Sequence, residues 1–169
     1  MKKLDVTRGE LAAICLAGIG TLALFVFAMI TGSQPQASKP AFSKVWGKPT
    51  KTISILFIGN SFTYINDIPG KLIQIASSDA SNTIQLEVSS VTKGGAHLAY
   101  MFQNATSYNA LKLQHWDYLV LQEQSEWTGS QARIDETYSA VNNWTRAARQ
   151  VGATPILYET WADKAGSPS

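Results

Sequence analysis

Residues 52–63 read TISILFIGNSFT, and the fold is decided there. Ile53–Ile58 is an apolar, β-branched run, the composition of a strand buried on both faces. Gly59 permits a tight turn behind it, which leaves Ser61 just past the strand's carboxyl end. Downstream, Asp67 to Ser78 (DIPGKLIQIASS) opens on an acidic cap with an early proline and carries Leu72, Ile73 and Ala76 at helical spacing. Ile84–Val91 alternates as a second strand, Ala96–Leu113 reads as a helix, and Tyr118–Leu121 is a third buried strand. Ile134–Val151 is a helix with Val141, Trp144 and Ala148 on one side, closed by Gly152, and Thr154–Tyr158 is a fourth strand. Strands and helices in alternation imply parallel pairing through right-handed crossovers, hence an α/β sandwich with a parallel sheet. Ligands in such sheets bind beyond the carboxyl ends of the strands. The chemistry is therefore expected after Ile58, Val91, Leu121 and Tyr158.

Upstream, Leu11–Ile30 (LAAICLAGIGTLALFVFAMI) is uncharged. Twenty helical residues span about 30 Å, the thickness of a bilayer's hydrocarbon core. This predicts a transmembrane anchor over 11–30 or, with cleavage near Thr31-Gly32-Ser33, a secretory signal. Lys2, Lys3 and Arg8 precede the span, so residues 1–10 are expected in the cytoplasm, and the membrane is an expected partner. The domain is placed extracytoplasmically, in a single-pass protein, or secreted if the segment is cleaved. Residues 31–51 hold three prolines among small polar residues and read as a flexible linker. The net charge of +2 is spread along the chain, which gives no basic face for nucleic acid. The one cysteine, Cys15, lies in the apolar run, so no intrachain disulfide forms.

Three successive strands end in residues suited to acyl transfer. After the first comes Gly59-Asn60-Ser61, with the serine close to the N-terminus of the following helix. After the second comes Lys93-Gly94-Gly95, where backbone can approach a ligand closely. After the third comes Gln122-Glu123-Gln124-Ser125, which offers side-chain amides. A serine attacks a carbonyl while backbone and amide N–H groups hold the developing negative charge. Glu123 reads as a solvated loop residue. His97, next to the double glycine, and Asn60, Trp127 and Trp161 are further candidates for substrate contact. His115 precedes a strand, at the wrong end of the sheet, and Trp144 reads as core. No His, Cys or carboxylate spacing suggests a metal, and no cofactor is expected.

These blocks resemble the SGNH (GDSL-like) hydrolase superfamily. ILFIGNSFT looks like its first block, which carries the nucleophile in a G-D-S-type turn. VTKGGAHL is similar to the second, and WDYLVLQEQS stands in the place of the third, with Gln124 where the family has asparagine. The resemblance implies a flavodoxin-like three-layer sandwich over residues 52–169. It makes Ser61 the nucleophile and Gly94, Gly95 and Gln124 the oxyanion donors. It also implies an ester substrate, either a small molecule or a carbohydrate. The family's late Asp-x-x-His has no match here, since Asp163 is followed by Lys-Ala-Gly. The expectation is thus a membrane-anchored, exported esterase of a divergent branch, C-terminally incomplete and inactive as this chain. The alternative is a membrane-tethered binding module that kept the fold and lost its base. A flavodoxin-like nucleotide or flavin binder is disfavoured, because GNSFT lacks a phosphate-cradling glycine pattern.

Overall fold

The computed structural model describes residues 34–125 and 130–160. Six strands form one sheet: β1 (Gln36–Ala37), β2 (Ala41–Phe42), β3 (Lys51–Gly59), β4 (Ile84–Thr92), β5 (Tyr118–Leu121) and β6 (Thr154–Leu157). Five helices connect or flank them: α1 (Ser61–Tyr64), α2 (Ile68–Ser78), α3 (Leu98–Gln103), α4 (Ala105–Lys112) and α5 (Gln131–Gln150). β3 lies at the centre, parallel to β4 on one side and to β5 on the other, and β6 continues parallel beyond β5.

Helices cover both faces, because β3 and β5 are apolar in both directions. On one face Leu56, Ile58, Val91, Leu119 and Leu121 pack with Leu98, Met101, Leu111, Ala140 and Trp144 of α3, α4 and α5. On the other, Ile55, Phe57, Val88 and Val120 meet Ile68, Leu72 and Ile73 of α2. Trp144 is fully buried and its indole N–H donates to the Leu98 carbonyl at 3.1 Å. The apolar stripe on α5 is thus core, as its spacing implied.

Two expectations about the architecture are corrected. The sheet is mixed, not parallel throughout, because β1 and β2 run antiparallel to β4 along its outer edge. Both lie in the stretch expected to be a linker, and their bonds are made by serines. Ser38 donates its N–H to the Ser90 carbonyl at 2.8 Å, and its hydroxyl accepts from Ser90 N–H at 2.8 Å. Ser43, itself buried, repeats the pattern with Leu86, at 2.9 and 2.7 Å. This strap occupies backbone groups that an open edge strand leaves unpaired.

The transmembrane helix is the second correction. Among the described residues no helix is long and apolar enough to cross a membrane. The longest, α5, has 20 residues but carries Arg133, Asp135, Glu136, Arg146 and Arg149. The expectation over 11–30 lies outside the described residues. With it go the membrane anchoring, the membrane partner and the membrane location inferred from that segment.

Candidate functional site

The parallel ladders run on past the strand ends and set four segments side by side. Gln122 N–H donates to the Ile58 carbonyl at 2.9 Å, Lys93 N–H to the Gly59 carbonyl at 3.2 Å, and Tyr158 N–H to the Leu121 carbonyl at 2.8 Å. The residues after β3, β4, β5 and β6 therefore share the carboxyl edge, where the topology predicts a ligand.

Ser61 opens α1, a single turn, and is half-buried. Asn60 caps that turn, with its side-chain oxygen accepting from Phe62 N–H at 3.1 Å. Its Nδ2 donates to the Ala96 carbonyl at 3.0 Å, and its backbone N–H to Gln122 Oε1 at 3.0 Å. Asn60 is 1% exposed and every polar atom of its amide is held by protein. It supports the turn that carries Ser61.

Gln122 stands in the amide-bearing stretch read from the sequence, but its supporting role did not show there. It is 1% exposed, and its Oε1 accepts from both Asn60 N–H and the Thr63 hydroxyl, the latter at 2.9 Å. Its Nε2 donates to the Glu123 carbonyl. Gly59 is required by this packing and not by an unusual backbone angle. A Cβ there would lie 2.4 Å from Thr63 Oγ1 and 2.8 Å from Gln122 Oε1.

The double-glycine turn is fixed at both ends against the serine turn, by Lys93 to Gly59 and by Ala96 to Asn60. Gly95 has φ +68°, a conformation in which side chains are rare, and a Cβ on Gly94 would stand 3.0 Å from the Tyr64 hydroxyl of α1. Gly94 and Gly95 are exposed. The backbone N–H groups of Ser61, Gly94 and Gly95 donate to no protein acceptor among the described residues. Three such donors beside one serine are what an anion-stabilising site requires.

Gln124 also reaches this edge. Its Oε1 is buried with no hydrogen-bond partner among the described residues. A buried polar atom left this way asks for a ligand or a water. Gln124 and Glu123 line a cleft of about 360 Å³ with Leu157, Tyr158, Glu159 and Thr160, beyond β5 and β6. A larger hollow of about 490 Å³ runs along Asn142, Thr145, Arg146 and Arg149, towards the C-terminal end of α5 and away from this edge.

His97 caps α3, its Nδ1 accepting from Tyr100 N–H at 3.4 Å. His115 lies 3.8 Å from Asp117 at the other end of the sheet. The Ser61 hydroxyl makes no hydrogen bond among the described residues. Trp127 and Trp161 lie outside the described residues. Among the described residues no three His, Cys, Asp or Glu side chains gather into a metal-ligand group.

No family model matches the sequence, and no curated protein matches it. Among solved structures the chain is similar to a proposed SGNH hydrolase from Slackia heliotrinireducens, with 30% identity and a TM-score of 0.55. The match covers 68% of this chain and 60% of that one, so the chain spans about three fifths of that relative's length. The likeness supports a relationship at the level of the SGNH superfamily.

Proposed function

We propose that residues 52–160 carry an SGNH-type serine hydrolase site acting on esters, with Ser61 as nucleophile. The observation that carries this reading is the set of backbone donors at Ser61, Gly94 and Gly95, unpartnered among the described residues, in two turns tied together by Lys93 N–H to the Gly59 carbonyl and Asn60 Nδ2 to the Ala96 carbonyl. In the reaction Ser61 Oγ attacks the acyl carbon while the carbonyl electron pair moves onto oxygen. The alcohol leaves with a proton, and water then releases the acid and restores Ser61. The N–H groups of Ser61 and the double glycine hold the oxyanion, joined by Gln124 Nε2 when its amide turns over to present a donor.

One observation favours a second reading, a binding module on the same fold. Among the described residues no histidine hydrogen-bonds the Ser61 hydroxyl. A positioned base contributes about 10²–10⁴-fold, so unaided turnover of aryl esters is expected to be slow. Added imidazole separates the readings. A hydrolase site hydrolyses p-nitrophenyl acetate faster as imidazole rises, above the buffer rate, and Ser61→Ala loses that gain. A fluorophosphonate should label Ser61, its Oγ–P bond forming as fluoride leaves and the hydroxyl proton passing to imidazole. Equal imidazole-dependent rates in the two proteins, or phosphonylation elsewhere only, would sink the hydrolase reading.

A further inference from the structure

The side chain of Glu123 joins the loops on either side of it. Its Oε1 accepts from Leu98 N–H at 2.9 Å and from Gln124 N–H at 2.7 Å, and its Oε2 accepts from the Thr137 hydroxyl of α5 at 3.2 Å. This is not the solvated loop residue that the sequence suggested. Leu98 is held from its other side too, since its carbonyl accepts from Trp144. The segment 93–98 is therefore pinned at three points: Lys93 to Gly59, Ala96 to Asn60, and Leu98 to Glu123.

We infer that Glu123 is a positioning residue, setting the spacing between the double-glycine turn and Gln124 and hence the aim of the oxyanion donors at Ser61. The inference rests on the serine-hydrolase reading above. All three groups that meet the carboxylate are donors, and an ionised carboxylate is the side chain that only accepts. A glutamine keeps one oxygen for the two N–H groups and can turn its NH₂ towards Thr137, whose hydroxyl rotates to accept. Glu123→Gln therefore preserves the spacing. Glu123→Ala leaves two backbone N–H groups without their acceptor and frees both loops.

Fluorophosphonate labelling of the full chain, with saturating imidazole, separates attack (kinact) from binding (KI). Glu123→Ala is expected to lower kinact by about 10–100-fold, the scale of a misplacement near 1 Å, with KI unchanged. Glu123→Gln should recover most of the rate. Amide exchange should quicken at Leu98 and Gln124 in the alanine variant and not in the glutamine variant. Should Glu123→Ala not fold, Glu123→Asp, one methylene shorter, carries the same test. Unchanged kinact in the shortened variant overturns the inference. Equal losses in the shortened and glutamine variants also overturn it, as does retained amide protection in the shortened one. Failure of the wild-type chain to label at Ser61 overturns the hydrolase reading itself, and is seen before any Glu123 variant is compared.

Discussion

Two amides stand two residues apart at the carboxyl end of β5, and they face different partners. Gln122 turns inward to the backbone of Asn60 and the hydroxyl of Thr63, while Gln124 lines the cleft and holds a buried side-chain oxygen with no partner among the described residues. Replacing Gln122 by alanine leaves the buried Asn60 N–H with no acceptor, a cost of about 1–3 kcal/mol. Urea denaturation of Gln122→Ala should give a lower midpoint, the shift multiplied by the m-value matching that cost; an unchanged midpoint would mean that water replaces the amide without loss. The place of Ser61 was legible because a buried strand followed by glycine and a small polar turn is a local pattern. The role of Gln122 was not, because its partner lies 62 residues away and nothing local marks the pairing. For Gly59 the local pattern suggested turn geometry, whereas the operative cause is the close approach of Thr63 and Gln122.

At the scale of elements, β3, α2, β4, β5, α5 and β6 fall where composition and spacing placed them, within a few residues at their ends. The helix expected over 96–113 is instead two, broken at Asn104, whose φ of −83° and ψ of 127° leave the helical region. Its side chain accepts from Thr106 N–H at 2.9 Å and so starts α4. The apolar residues Leu98, Met101, Tyr108 and Leu111 keep a helix-like spacing across the break, which hid it. Asn104→Ala removes that cap, with an expected cost of about 0.5–2 kcal/mol. Thermal unfolding would measure it, and an unshifted Tm would argue that packing alone fixes the break. β1 and β2 had no periodic signal to read, being two residues each and held by serine hydroxyls.

For the whole molecule, the strand–helix alternation was enough to predict an α/β sandwich and the edge that carries its loops. It could not reveal the antiparallel strap, which depends on contacts between residues 36–43 and β4 some fifty positions away. That strap has an experimental use. Gln36 pairs with Thr92, whereas Ala41 pairs with Val88. At a rise of about 3.3 Å per residue, Gln36 sits about 7 Å from the level of Gly94, and Ala41 about 20 Å. In a Cys15→Ser background, an environment-sensitive dye on Gln36→Cys becomes an optical reporter, and the same dye on Ala41→Cys its blind control. Phosphonylation of Ser61 should change the emission of the first dye and leave the second unchanged. Identical responses from both would mean that the first dye senses no local event at the double glycine. The strap that closes the sheet edge thus also offers a fixed post from which the occupied site can be watched without touching any residue in it.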